Sequence, residues 1–161
     1  MEDLVMDNLQ MTQRSLERAV ASADVVVSTG GVSVGDHDHV KAAIESLGGQ
    51  LDFWRVAIRP GKPFVHGALG GRSFFGLPGN PVSAFVTFLL MVRPALIRLQ
   101  GGRETSMPEL RVRLGGDGQV RLTGRQGSHV LSSLAAANAL LDVPAGSDWE
   151  AGRGVSVLRI D

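Results

Sequence analysis

The sequence predicts an α/β domain followed by a small all-β unit. Three observations carry that expectation. A β-branched run, DVVVST, follows a stretch of helical periodicity. Two glycine-rich segments, STGGVSVGDHD at 28–38 and LPGNP at 77–81, each stand between an apolar run and a helical pattern. From about residue 109 onward the chain changes to short, partly alternating segments parted by glycine.

Each element has a local reason. Between Thr12 and Ala23 the apolar residues Leu16, Ala19, Val20 and Ala23 recur at helical spacing. The run from Asp24 to Thr29 lacks alternation, which suits a strand buried on both faces, as in a parallel sheet under helices. A helix over 39–47 ends at Gly48-Gly49, and Leu51 to Ile58 reads as a strand interrupted by PGKP. FVHGALGGRSFFGL reads as a hairpin turning at Gly70-Gly71. A helix from Pro81 to Leu99 is expected to kink or restart at Pro94. ELRVRL places Leu110, Val112 and Leu114 on one face, and QVRLT, ALLDVP and GVSVLRI continue the β pattern. Trp54 and Phe64, Phe74, Phe75, Phe85 and Phe88 read as core. The division expected is an α/β domain at 1–100, a linker at 101–108 and a β domain at 109–161.

Composition narrows the function classes. The chain has 161 residues, 16 basic and 16 acidic, so bulk nucleic-acid binding has no electrostatic support. Without cysteine there is no thiol catalysis and no cysteine-based zinc site. The amino terminus lacks an apolar signal core, and the run from Ala84 to Val92 is short for a bilayer. A soluble cytoplasmic protein with no membrane partner is the expectation.

The chemistry concentrates in three loops. In LPGNP, Asn80 falls at the N-cap and Pro81 at the first helical position, while Pro78 sets a turn and Gly79 allows a positive φ. A helix entrance of that kind presents N–H groups to an anion, though the same residues also make an ordinary strand-to-helix turn. The glycine loop at 28–38 follows a strand and precedes a helix, so two such loops at one sheet edge would make a cleft. It ends in Asp36, His37, Asp38 and His39, where carboxylates suit Mg2+ or acid–base work and Asp38 equally suits an N-cap. The His-x-His pair has no assignable third metal ligand, and His66 and His129 read as packing or surface residues. Arg55, Arg59 and Lys62 in WRVAIRPGKP form either an anion-binding edge or a solvated basic one. By local chemistry alone Asp7 is a surface turn residue.

Taken together and in this order, DVVVSTGGVSVGDHDHVK, FWRVAIRPGKPFVHG and FFGLPGNPVSAFVTF resemble the molybdopterin molybdenumtransferases, the MoeA proteins and their animal relative, the gephyrin E domain. GRQGSHVLSSLAAANALLDVPAG is similar to that family's last, small β domain, with Asn138-Ala139 in place of its more usual Asn-Gly. The resemblance implies a partial MoaB/Mog-like three-layer molybdopterin-binding domain followed by the β domain. It implies insertion of molybdate into adenylylated molybdopterin with release of AMP, in a Mg2+-dependent step. On it, Asp7 and Asp38 match functionally important aspartates, as catalytic and Mg2+-binding groups. Gly30, Gly31, Ser33, Gly35, Asp36, Arg55, Arg59, Lys62, Pro78, Gly79, Asn80, Pro81 and Ser83 fall at substrate-binding positions. Arg55 and Arg59 stand where relatives often carry lysine, which keeps charge but changes geometry.

Family members are longer, so the resemblance also implies a carboxyl-terminal fragment. A preceding strand with its TGDE-type loop, and a homodimer in the full-length protein, are expected on the same ground. Molybdopterin adenylyltransferase and molybdoenzymes are the expected partners. The alternatives are a non-catalytic pterin-binding or gephyrin-like partner-binding module, and a related MoaB- or CinA-type enzyme.

Overall fold

A computed structural model describes residues 4–5, 8–32, 39–53, 56–59, 62–103, 106–115, 121, 123 and 130–160, without the side chain of Phe53. Asp7, Ser33, Gly35, Asp36, His37, Asp38, Trp54, Arg55 and His129 therefore lie outside the described residues. The chain divides into two compact units, Met1–Val92 and Arg93–Asp161.

In the first unit, α1 (Leu9–Ser22) precedes β1 (Val25–Thr29), α2 (His39–Ser46), β2 (Gln50–Phe53), β3 (Val65–Leu69), β4 (Arg72–Leu77) and α3 (Pro81–Thr87). Asn8 begins α1 with a capping bond, its Oδ1 accepting from Gln10 N–H at 2.9 Å and Met11 N–H at 3.3 Å. Leu16 is buried, and Ala19 and Val20 join it against the sheet, as the helical spacing requires. From α2, Val40, Ala43 and Ile44 enter the same core, meeting Val26, Val65, Leu69 and Phe74. Gln13 Nε2 donates to Ser46 Oγ at 2.7 Å and ties α1 to α2.

The sheet order is β1-β4-β3-β2, with β1 parallel to β4 and the other pairings antiparallel. The sheet is thus mixed, not the parallel one expected from the DVVVST run. Among the described residues β1 pairs with β4 alone; it buries Val26 and leaves Val27 41% exposed. Gly70 and Gly71 turn the β3–β4 hairpin with φ +57° and +75°, both in the left-handed region that a two-residue primed turn requires. Regular pairing of β2 stops at Phe53 with a register irregularity after Leu51, so Val56 to Ile58 do not continue the strand.

After α3 the helix widens into a π turn over Phe88–Val92, and α4 (Arg93–Leu99) resumes the α register. Pro94 offers no N–H to the carbonyl four residues back, so the expected interruption takes the form of a π turn just before it. Thr87 is fully buried, and its hydroxyl donates to the Ser83 carbonyl at 2.7 Å. Phe85 is 41% exposed and so falls outside the core expected for it. Pro81–Leu99 forms 19 helical residues, the bounds expected for this helix, with a mean hydropathy of 1.7 over an 18-residue window. By length and composition it meets the requirement of a membrane span, a test that core helices of soluble proteins also pass.

The second unit adds β5 (Glu109–Arg113), α5 (Leu131–Ala135), β6 (Ala139–Leu141) and β7 (Gly154–Arg159) to α4. Its antiparallel sheet has the order β5-β7-β6 and buries Val155 and Val157 from the central strand. Leu110 pairs with Val157 and Val112 with Val155, yet Leu110 on the edge strand remains 44% exposed. The short α5 is a helix that the β pattern did not announce.

A candidate pterin and anion site at one sheet edge

Strand register brings three loops to one end of the first unit. Thr29, the last residue of β1, lies beside Leu77, the last of β4. Val65, the first residue of β3, lies opposite Gly76. The connection from β2 to β3, which carries Arg59 and Lys62, therefore leaves the sheet at the same edge as the loops after β1 and β4. This is the carboxyl edge of a parallel strand pair, where α/β sheets bind ligands.

The first and third loops touch. Gly30 N–H donates to the Leu77 carbonyl at 3.0 Å. A Cβ placed on Gly79 would stand 3.3 Å from Gly30 Cα, tighter than ordinary contact. Gly30 and Gly31 have φ +79° and +66°, so both need glycine for backbone reasons. Gly79 does not: no positive φ occurs there, contrary to the turn expected from LPGNP. Its glycine is required by the approach of the neighbouring loop, a tertiary cause that local turn chemistry does not contain. Val32, 1% exposed, lies over Gly76, where a Cβ would come within 2.6 Å of Val32 Cγ1.

Asn80 occupies the N-cap of α3 and Pro81 its first position, and the Asn80 carbonyl accepts from Ala84 N–H at 2.8 Å. The expected side-chain cap is absent: Asn80 Oδ1 is buried and has no hydrogen-bond partner. Ser28 Oγ, near the end of β1, is likewise buried and unpartnered. Buried polar atoms are nearly always satisfied in native proteins, which makes both atoms candidates for a ligand contact. Asn8 and Asn80 therefore behave oppositely on truncation. Asn8→Ala should cost about 1 kcal/mol of stability through the lost cap. Asn80→Ala should leave the denaturation midpoint nearly unchanged while weakening ligand binding, and paired melts and titrations check both.

Pro78 and Ser83 are buried, whereas Gly79 and Pro81 are exposed. Arg59 and Lys62 are exposed and form no ion pair among the described residues. Backbone bonds from Val56 N–H and Phe64 N–H to the Lys62 carbonyl, at 3.2 and 3.1 Å, close the basic loop. Its base carries a feature that the sequence does not announce: His66 Nδ1 lies 2.7 Å from Asp52 Oδ2, with the imidazole 4.9 Å from the Phe75 ring. Only the β2–β3 pairing brings those two residues together. Ser28 was also missed, because nothing in VVVST marks one hydroxyl as inward.

Residues 2–98 match the family described as "Probable molybdopterin binding domain", and residues 97–160 match the "MoeA C-terminal region (domain IV)". The chain belongs to the MoeA family. It is 37% identical to a molybdopterin molybdenumtransferase of Haemophilus influenzae, over 86% of this chain and 40% of that protein. It is 36% identical to the molybdenum cofactor synthesis protein cinnamon of Drosophila melanogaster, over 88% of this chain and 27% of that one. A crystal structure of the molybdopterin biosynthesis MoeA protein of Pyrococcus horikoshii superposes with TM-score 0.81 and 28% identity, covering 98% of this chain and 42% of the other. This MoeA-family chain thus spans less than half the length of each of these three relatives.

Proposed function

We propose that this chain provides the pterin-binding edge and the carboxyl-terminal region of a molybdopterin molybdenumtransferase. The reaction inserts molybdate into the dithiolene of adenylylated molybdopterin and releases AMP. The observation that carries this reading is the contact of the Gly30 and Gly79 loops beside a basic loop whose Arg59 and Lys62 form no ion pair among the described residues. A flat, anionic pterin phosphate needs close backbone approach and fixed positive charge, and those loops supply both. Gly30, Gly31, Gly79 and Asn80 would bind and orient the pterin phosphate. Arg55, Arg59 and Lys62 would draw molybdate to it, arginine being suited to bidentate oxyanion contacts.

Asp7 and Asp38 carry the acid–base and metal roles in this reading. Two carboxylates are hard oxygen donors of the kind Mg2+ takes. Both lie outside the described residues, and among the described ones no three His, Asp or Glu side chains gather as a metal site. Mg2+, when bound, would polarise phosphate oxygens. A cytoplasmic homodimer in the full-length protein, served by molybdopterin adenylyltransferase and delivering to molybdoenzymes, belongs to the same proposal.

Arg59→Ala tests it: the molybdate concentration for half-maximal AMP release should rise about fivefold, the size expected from losing one charged contact. An unchanged requirement would remove Arg59 from the anion site.

A further inference from the structure

Gly76 stands inside β4, a strand paired on both sides, by β1 and by β3. Glycine weakens a strand interior and often marks a place where another segment approaches closely. Here that segment is the glycine loop after β1. A Cβ on Gly76 would stand 2.6 Å from Val32 Cγ1, 3.2 Å from Val65 Cβ and 3.4 Å from Phe74 Cε1. The missing side chain thus leaves a notch on the sheet walled by Val65 and Phe74, and a methyl group of Val32 fills it. Val32 is 1% exposed and belongs to the core of the first unit.

The loop needs such a fixture. Gly30 and Gly31 both have positive φ, and glycine carries more backbone freedom than any other residue. Among the described residues, positions 30–32 make one backbone bond to the sheet, from Gly30 N–H to the Leu77 carbonyl. One hydrogen bond nets little against that freedom. Val32 is the first residue after the glycines with a side chain, and β-branching leaves it few rotamers, so it acts as a stiff knob. Gly76 precedes Gly79 by three positions, so this seat lies on the same strand end as the contact between Gly30 and Gly79.

We propose that Val32 is a positioning residue: seated in the Gly76 notch, it holds Gly30 and Gly31 at the spacing from the LPGNP loop that the pterin substrate requires. The inference rests on the function proposed above for those two loops.

The test uses the full chain with adenylylated molybdopterin as the probe, and a melt and amide exchange run on the same samples. Val32→Ala removes the knob and should weaken binding about fivefold. Without ligand, exchange at the Gly30 amide should quicken about tenfold more than exchange in β3, on the far side of β4. Val32→Thr keeps the branched shape but buries a hydroxyl, so it should lower the melt and still bind within about twofold of the parent. Gly76→Ala fills the notch from the sheet side. It should weaken binding about fivefold in the parent, and less than about twofold once Val32→Ala has removed the group it displaces.

A merely structural role predicts that affinity follows the melt, with Val32→Thr as impaired as Val32→Ala. That pattern, undiminished binding by a folded Val32→Ala protein, or additive losses in the Val32–Gly76 cycle would overturn the proposal. If the parent binds no substrate, the pterin reading of the loops fails and takes this inference with it. Gly30 exchange tells the two failures apart. A loop that loosens only on loss of Val32 puts the fault in the ligand, whereas unchanged exchange in Val32→Ala shows that Val32 does not hold the loop.

Discussion

Gly67→Ala is expected to cost the first unit about 3 kcal/mol, lowering its thermal midpoint by about 12–24 °C. Gly67 lies in β3 opposite Leu51 of β2. A Cβ there would fall on the Gln50 carbonyl oxygen, 2.9 Å from Leu51 Cδ2 and 3.1 Å from Leu51 Cα. Two of those three neighbours are backbone atoms of the paired strand, so relief requires β2 to move away and its ladder bonds to weaken. The pairing already breaks register after Leu51, which leaves few bonds to absorb the change. The functional consequence follows, because β2 and β3 are the two stems of the basic loop. Gly154→Ala is the control: nothing lies within 4 Å of its Cβ and its φ is not positive, so the melt should not shift. A loss below about 1 kcal/mol for Gly67→Ala would mean that β2 adapts freely and does not fix the loop.

The second large effect is on binding. Gly79→Val should lower affinity for the pterin substrate at least about tenfold while costing less than about 2 kcal/mol of stability. The β-carbon alone would meet Gly30 Cα at 3.3 Å, and valine adds two γ-methyl groups to that tight contact. Separation would also strain the bond from Gly30 N–H to the Leu77 carbonyl, the link that ties the loop after β1 to the end of β4. Because Gly79 is itself exposed, the loops have room to part outward, which is why stability suffers less than binding. Titration calorimetry beside a chemical melt separates the two. Undiminished binding by a folded Gly79→Val protein would show that the closeness of the loops is irrelevant to the ligand.

How much of this was legible in the sequence depended on the range of the cause. The periodicity around Leu16, the Gly70-Gly71 turn and the placing of Asn80 and Pro81 at a helix start are local effects, and each element stands where the local pattern put it. The failures are tertiary. VVVST by its own composition does not reveal that, among the described residues, β1 pairs with β4 alone and leaves Val27 exposed. LPGNP suggested a left-handed Gly79, whereas the glycine answers to a contact with a loop 49 positions earlier, by 79 − 30. Leu51 to Ile58 has strand composition throughout, but pairing ends where the register against β3 slips. The pairing of His66 with Asp52 depends on that same register. Asp7 stands apart from these. No local feature of LVMDNL distinguishes it, and only the family resemblance raised it as a candidate.

The central claim is that the edge formed by the Gly30, Gly79 and basic loops receives adenylylated molybdopterin. Isothermal titration of this chain with that substrate, with Mg2+ and molybdate present and AMP assayed in the same sample, tests it most directly. Saturable binding that Gly79→Val and Asn80→Ala both weaken is the predicted result, and AMP release alongside it would add turnover to binding. Absence of binding in a sample shown by its cooperative melt to be folded would contradict the claim.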